Sequence, residues 1–368
     1  MTLEDIAIGF VSQLGPRGVA HLCDVFGSAQ QVYAASAAEI VERSGLRADI
    51  AARIAAREGL REAERELRHC ERYGIEPIAA GDELYPSSLY MAQDAPHVIY
   101  TMGRPDALTA RHMLSVVGTR KMTPYGELIC TRVIERLAEM FPDLVVISGL
   151  AFGIDAAAHR AAVQFGLRTI GVTATALPDI TPSQHTALAG DMLAHGGMVI
   201  TELHSQTKQN GNLYIPRNRI IAAMGEGLLL VESPREGGAM STVAAADGYG
   251  RVVMATPGRA TDPMSAGPNH IIRTGLATLV TSGEAVADAL GWQSEEAPRE
   301  WRAPSAEYEA NDDEARVLAC FEGVQDGIFI ERLAERALMP IQQVSAILLN
   351  LELAGVVRQL PGKIFEKL

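Results

Sequence analysis

The sequence predicts an α/β fold built on a doubly wound, mostly parallel sheet. Three observations support this prediction. Short apolar runs alternate with helix-like segments through the middle of the chain, glycine-bearing turns follow most of these runs, and 48% of the 368 residues are hydrophobic, which suffices for ordinary buried cores. Strands that alternate with helices form a parallel sheet with helices on both faces, so we expect a Rossmann-like core.

Residues 1–75 are predicted to form a small helical module. Glycines at Gly15-Pro16, Gly27 and Gly45 separate short helix-like stretches, and an amphipathic helix is expected over 61–74. The spacing of these turns resembles SAM-like or helix-hairpin-helix units, whose turn amides can meet a DNA phosphate. A module that only packs against the neighbouring domain is the alternative.

Residues 76–292 are predicted to contain the sheet. Seven apolar runs of strand length are expected to form its strands: Leu114–Val117, Leu144–Ile147, Thr169–Thr173, Met198–Thr201, Leu228–Val231, Val252–Ala255 and Thr278–Val280. Because the carboxyl ends of parallel strands meet at one edge of a sheet, we expect any ligand to bind beyond that edge.

The C-terminal part is predicted to be an acidic linker over 293–311, followed by a winged-helix domain over 312–368. Helical periodicity in three segments and a short hairpin support the domain: Glu314–Cys320, Ile330–Ala337 and Ile341–Leu353, then Val356–Gln359 and Ile364–Glu366. The third helix would be the recognition helix of such a domain. It contains Glu352 and no Lys or Arg, so a protein-interaction or dimer-supporting role is as consistent with it as DNA binding.

Composition limits the possible functions. The net charge of -13 argues against general binding to nucleic acid, because such binding needs many cations on one surface. No apolar run is long enough to span a membrane, and Glu4 and Asp5 do not suit a secretory signal, so we expect a cytoplasmic protein. The four cysteines form no C-x-x-C pair, and we predict no metal and no cofactor.

Four segments near the strand ends carry residues that suit an anion. Glycines allow close backbone approach, helix N-termini offer amides, and arginine offers a planar fork for phosphate. We predict a phosphate-type site from these residues: Gly118, Thr119, Arg120, Lys121, Ser148, Gly149, Phe152, Gly153, Arg217, Asn218, Arg219, Gly237, Gly238, Ser241 and Thr242.

Two arginines in this set carry the argument. Arg217 and Arg219 follow Pro216, which suits a first helical turn. Cations are disfavoured at a helix N-terminus unless an anion shares the site. Anion binding and pairing with surface carboxylates are therefore both open interpretations.

Asp155 and His159 form a further candidate pair, because residues four apart share one face of a helix. A catalytic acid/base pair is conceivable. No nucleophile or metal ligand accompanies them in the sequence, so the simpler interpretation is that they lock the loop to the helix.

Several motifs in this order resemble the DNA-processing protein A family (DprA, also called Smf). They include Val117-Gly118-Thr119-Arg120, the segment from Ser148 to His159, Pro216-Arg217-Asn218-Arg219 and Pro257-Gly258. The resemblance implies a Rossmann-like core that binds single-stranded DNA, usually as a homodimer, during natural transformation. It also implies that the protein shields incoming DNA and helps load the RecA recombinase. Arg120 is then expected to contact DNA, and the 148–153 loop, Arg217 and Arg219 to bind phosphates.

One segment departs from the family pattern. Residues 176–185 stand where the family usually has a Gly-Leu-Asp…Tyr-Pro…Asn segment, and they contain no aromatic residue and no lysine. Stacking on aromatic rings usually supplies part of the affinity for single strands. Phe152, Tyr214 and Tyr249 are the remaining candidates for that contact.

Two enzyme classes are alternatives. Nucleotide phosphoribohydrolases of the lysine-decarboxylase-like family have a P-G-G-x-G-T-x-x-E element, and Glu236–Thr242 is superficially similar. Ala244 and Ala245 stand where its catalytic Glu belongs, so we predict no enzymatic activity. A dinucleotide-dependent oxidoreductase would need G-x-G-x-x-G after a strand, which neither the Gly118 nor the Ser148 segment contains.

Overall fold

The computed structural model describes residues 1–208, 211–293, 310–321, 327–353, 356–360 and 364–367. The chain divides into two compact units, Met1–Glu295 and Glu296–Leu368, and each is described by itself. The predicted acidic linker, 293–311, lies outside the described residues except at its ends.

The described part of the first unit contains a nine-stranded sheet. Its strands are Glu76–Ala79 (β1), Val98–Gly103 (β2), Met113–Val117 (β3), Val145–Ser148 (β4), Arg168–Val172 (β5), Met198–Thr201 (β6), Gly227–Leu230 (β7), Val252–Ala255 (β8) and Thr278–Leu279 (β9). Their spatial order is β1-β2-β6-β5-β4-β3-β7-β8-β9. Strands β3 to β9 pair in parallel, whereas β1 and β2 are antiparallel to their neighbours.

This order confirms the predicted doubly wound sheet. From β3 the chain adds β4, β5 and β6 on one side, then crosses to add β7, β8 and β9 on the other. The switch point lies at β3, where the strand order changes direction. Crevices form at such points because the connections on the two sides leave in opposite directions. The sequence prediction missed β1 and β2, although the β-branched and aromatic run in β2 is a strand signal.

Helices cover both faces of the sheet. Those of the first unit are Leu3–Ile8 (α1), Pro16–Phe26 (α2), Ala29–Ala34 (α3), Ala37–Ser44 (α4), Ala48–Ala55 (α5), Leu60–Tyr73 (α6), Ser87–Tyr90 (α7), Pro124–Met140 (α8), Ile154–Gln164 (α9), Thr186–Ala194 (α10), Tyr214–Met224 (α11), Ala239–Gly248 (α12), Ala266–Arg273 (α13) and Gly283–Leu290 (α14). In β3, Leu114 and Val116 pack into one core cluster and Met113 and Val117 into the other. Both faces are therefore buried, as in other parallel sheets.

Helices α1 to α6 pack against the β2 end of the sheet. Ile6 and Phe26 share a hydrophobic cluster with Tyr100 of β2. The buried Glu66 accepts hydrogen bonds from the Ser205 amide, at 2.8 Å, and from the Ser205 hydroxyl. The helical module and the sheet thus belong to one compact unit, and the division at residue 75 remains a prediction.

The second unit contains a small three-helix domain with a short sheet. Its elements are Asp312–Ala319 (α15), Ile328–Phe329 (β10), Ile330–Ala337 (α16), Ile341–Leu353 (α17), Val357–Leu360 (β11) and Ile364–Lys367 (β12). Strand β12 pairs with both β10 and β11, and Asn311 and Glu314 form a capping box that starts α15. This arrangement is the predicted winged helix, with one short strand, β10, that the sequence prediction missed.

Candidate functional site

A cavity of about 460 Å³ opens at the carboxyl edge of the sheet, where β3, β4 and β7 end at the switch point. We call it the main cavity. Nine of the predicted site residues line it: Gly118, Thr119, Arg120, Lys121, Arg217, Asn218, Gly237, Gly238 and Thr242. Asp155 and Tyr214 also line it. The other predicted residues support its walls or lie elsewhere.

Two glycines let the loops around this cavity pack closely. Gly153 adopts a φ of +79°, and a Cβ there would collide with the backbone of Thr119. A Cβ on Gly149 would collide with the guanidinium of Arg217. The loop after β4 therefore packs behind Arg217. Ser148, Gly149 and Gly153 lie in this supporting layer and do not line the cavity. Ser148 is buried and donates to the Val116 carbonyl at 2.6 Å.

Arg217 is a buried wall residue. It is 4% exposed, and its Nη1 donates to the carbonyls of Gly149 at 2.5 Å and Val172 at 2.6 Å. Burial lowers the pKa of Arg217, and the nearby Asp155 carboxylate opposes that change. Burial likewise raises the pKa of Asp155, against the field of Arg217. Arg217 thus joins the ends of β4 and β5 and holds a fixed positive charge at the base of the cavity.

Arg120 and Lys121 are exposed cations at the mouth of the main cavity. The guanidinium carbon of Arg120 lies 4.9 Å from the ring centre of Tyr214. In the described parts of the chain, no carboxylate lies within ion-pair distance of Arg120 or Lys121, and the carboxylate that lines the cavity, Asp155, feels the positive charge of Arg217 more strongly than that of Arg120. Both side chains can therefore turn toward a ligand anion without first breaking a salt bridge.

Helix α12 directs its N-terminus at the same cavity. The amides of Met240 and Ser241 bond back to the carbonyls of Gly237 and Gly238. The amides of Gly238 and Ala239 form no hydrogen bond with the described residues. Asn218 donates to the Ser241 hydroxyl at 3.1 Å, which ties α11 to this turn. Free amides at a helix N-terminus favour an anion.

The N-terminus of α8 provides an internal comparison. Glu232, which follows β7 and is 1% exposed, accepts hydrogen bonds from the Thr123 amide at 2.9 Å and from the Thr123 hydroxyl at 2.6 Å. A carboxylate of the protein therefore already accepts hydrogen bonds at the N-terminus of α8. Among the described residues, no carboxylate does so at the N-terminus of α12. Sequence reasoning missed this role of Glu232, because a Glu after a strand carries no signal for its partner.

Arg219 points away from the main cavity. Its Nη1 and Nη2 donate to the two carboxylate oxygens of Glu202 at 3.0 and 2.7 Å, and its Nε lies 3.7 Å from Asp94. The side chain is 14% exposed. This matches the second interpretation of the arginine pair, a salt bridge with carboxylates, and the predicted phosphate contact of Arg219 finds no support in this geometry.

Phe152 contacts the end of the departing segment 176–185. The rings of Phe152 and His185 meet edge to face with centres 4.9 Å apart, and His185 Nδ1 lies 2.7 Å from the Leu150 carbonyl. Phe152 is 45% exposed. The segment therefore supports the ring of Phe152 from one side, and this ring remains a predicted contact.

The structure does not pair Asp155 with His159. Asp155 faces Arg217, whereas His159 is fully buried and its Nδ1 lies 2.7 Å from Thr169 Oγ1. Burial lowers the pKa of His159 to about 3, so this ring is neutral at physiological pH. Asp155, through hydrogen bonds with Ala151 and Ser148, locks the loop to α9 as the simpler interpretation expected, whereas His159 joins α9 to β5 and takes no part in that lock.

The fold and the cavity define a class: a doubly wound α/β protein with a cavity lined by arginine, lysine and glycine residues at its topological switch point. Comparison with known proteins narrows this class. The family model for DNA recombination-mediator protein A matches residues 76–291, and that for the DprA winged helix domain matches 302–363. The chain belongs to the DNA recombination-mediator protein A family, which confirms the resemblance seen in the sequence.

Individual relatives agree with this assignment. Protein Smf of Escherichia coli (strain K12) is 34% identical over 289 residues, which cover 77% of this chain and 75% of that protein. DNA processing protein DprA of Bacillus subtilis is 32% identical over 61% of this chain and 75% of its own length.

Two solved structures are also similar. The X-ray structure of DNA processing protein A from Streptococcus pneumoniae has a TM-score of 0.68 at 29% identity and covers 78% of this chain and 98% of that one. DNA processing protein A from Helicobacter pylori, solved to explain its single-stranded DNA binding mode, has a TM-score of 0.53 at 22% identity, with 59% and 96% coverage. The second similarity shows the shared fold. In the described residues, no helix has the length and apolar character needed to cross a bilayer.

Proposed function

We propose that this protein binds single-stranded DNA through its phosphates in the main cavity. The observation that carries the proposal is the net positive charge there, since Arg120, Lys121 and Arg217 outnumber Asp155, the carboxylate among the lining residues. Arg120 and Lys121 have no carboxylate partner among the described residues, and the α12 N-terminus offers the free amides of Gly238 and Ala239. Family membership supplies the choice of DNA as the anion.

The cavity suits the DNA backbone better than it suits base recognition. Apart from the Asp155 carboxylate, which faces Arg217, its polar groups are amides, hydroxyls and cations, which suit phosphate oxygens and carry no sequence information. Since the whole chain has a net charge of -13, the attraction must be local. Affinity should therefore fall steeply with salt, by a logarithmic slope of about 0.7 per neutralised phosphate of a single strand.

We further propose the biological role that the family resemblance implies. A homodimer of this protein would shield incoming single strands during natural transformation and help load the RecA recombinase, in the cytoplasm. We propose no catalytic step, because Ala244 and Ala245 stand on α12 where the phosphoribohydrolase-like alternative needs its acid/base carboxylate. The domains would act as divided from the sequence: 1–75, 76–292, a linker over 293–311, and 312–368.

The test is a salt-titrated fluorescence-anisotropy comparison of single- and double-stranded oligonucleotides, with light scattering to count subunits. We expect tighter binding of single strands and a salt-dependent affinity. Binding that does not depend on salt would contradict a phosphate site. Release of the base from nucleoside monophosphates would instead support the enzyme alternative.

A further inference from the structure

We propose a second subsite on the same DNA path: a neighbouring cavity takes the nucleobase that follows the phosphates in the main cavity, with the Tyr125 ring as its stacking surface. This inference rests on the proposed function. The cavity, which we call the tyrosine cavity, has a volume of about 640 Å³. Tyr125, Pro124, Pro257 and Arg259 are among its lining residues.

The two cavities are adjacent along the carboxyl edge of the sheet. Lys121 lines the main cavity and Thr123 lines the tyrosine cavity. Because two residues span at most about 7 Å of extended chain, a strand that leaves the main cavity past Lys121 reaches the tyrosine cavity directly. Its other wall is the segment after β8, next to β7 in the sheet.

Tyr125 is already held in a position suited to stacking. Its side chain is 44% exposed, while its hydroxyl donates to the Pro257 carbonyl at 2.7 Å. An exposed ring that is fixed at its polar end loses little conformational entropy when a base packs on it. Stacking of this kind accepts any base, because every base has a π-face.

The aromatic residues expected from the sequence lie outside the tyrosine cavity. Tyr214 lines the main cavity and lies under the guanidinium of Arg120. Phe152, which packs on His185, and Tyr249, whose hydroxyl donates to Asp94 at 2.5 Å, line neither cavity. Tyr125 lines the tyrosine cavity, so its ring is the best placed of the four to accept a base there.

The charges around the tyrosine cavity are compatible with a nucleotide. Arg259 is exposed and forms no ion pair within the described residues. The carboxylate of Asp262 accepts the Met264 amide at 2.9 Å. Glu232 is engaged by Thr123 beneath the cavity. Arg259 is therefore available to bind the phosphate that lies between the stacked nucleotide and the nucleotides in the main cavity.

The test separates stacking from phosphate binding. Anisotropy titrations of the full-length protein would use two labelled probes of equal length, oligothymidylate and an abasic oligodeoxyribose phosphate. We expect Tyr125→Leu to weaken oligothymidylate binding by about 5-fold to about 150-fold, the equivalent of stacking one base, and to leave the abasic probe nearly unchanged. Tyr125→Phe, the matched control, keeps the ring and should remain within about 3-fold of the wild type on both probes.

Other outcomes would overturn the subsite. Wild-type affinity of Tyr125→Leu for oligothymidylate, or an equal loss on both probes, would rule out stacking on Tyr125. Arg120→Ala distinguishes that failure from failure of the proposed function, because it should weaken both probes. If neither probe binds the wild-type protein, or if Arg120→Ala binds both normally, the phosphate site fails and the subsite fails with it.

Discussion

Replacing Arg217 tests whether this residue is a buried structural charge or a mobile ligand contact. In Arg217→Met, the buried carbonyls of Gly149 and Val172 lose a donor, and the buried Asp155 loses the positive charge that most lowers its pKa. Leaving a buried acceptor without its donor costs about 1–3 kcal/mol. Since domains are stable by only about 5–15 kcal/mol, the variant should fold but should unfold at a much lower urea concentration.

The dependence of this loss on pH has a definite sign. Burial raises the pKa of Asp155 above its ordinary 3.8, and Arg217 partly offsets that rise. Without Arg217 the pKa of Asp155 rises further, so the folded variant takes up a proton more readily than the unfolded chain. A carboxyl group with a raised pKa destabilises the folded state at high pH, and the penalty disappears as the pH falls through that pKa. The stability deficit should therefore shrink between pH 7 and pH 4.

Urea unfolding followed by circular dichroism, at pH 7 and at lower pH, measures both effects. A double-mutant cycle with Asp155→Asn adds a control, because removing both charges should cost less than the sum of the single losses. A loss below about 1 kcal/mol at pH 7, the lower bound for an unsatisfied buried acceptor, or a deficit that grows in acid, would refute the reasoning.

Three further predictions use the same structure. Arg120→Ala should weaken single-strand binding and reduce the slope of log affinity against log salt by about 0.7, the value for one phosphate contact. An unchanged slope in anisotropy titrations would exclude Arg120 from the site. Arg219→Ala should keep wild-type DNA affinity and lose about 1–3 kcal/mol of stability in urea, because its hydrogen bonds to the Glu202 carboxylate are lost; a tenfold loss of affinity would instead restore Arg219 to the DNA site. Burial raises the pKa of Cys70 and of Cys130 to about 12. Ellman's reagent at pH 8 should therefore leave both thiols unmodified in the folded protein and should label them in urea. Rapid labelling of either thiol in the folded state would contradict their burial.

Local patterns were sufficient to predict most of the fold. The bounds of β6 and β8 agree with the sequence prediction, as do those of α16 and α17, because each is a strongly periodic or continuously apolar segment. Strands β1 and β2 were missed because they join the sheet antiparallel, outside the strand–helix alternation on which the prediction was based. Strand β2 pairs with β6, which lies about a hundred residues further along the chain, and β1 pairs with β2.

The part of the cavity that follows from the parallel order of the strands was predictable. Gly118 to Lys121 and Gly237 to Gly238 were expected to meet because both segments follow strands of one parallel sheet, and they do line one cavity. Glu232 and Tyr125 were not assigned to a site. The partners that give them a role, Thr123 and Pro257, become their neighbours only when the chain folds.

The sequence by itself determined the α/β class, the family and the strand-end segments that carry charge, because these depend on periodicity and on short motifs. Only the tertiary structure decided what each charge does. Arg217 and Arg219 are two residues apart on α11, so their side chains project about 200° apart around the helix axis. The packing of α11 therefore buries Arg217 beside Asp155 and turns Arg219 toward Glu202. Two similar arginines in one motif thus have different environments, because a helix can present only one of its faces to the cavity.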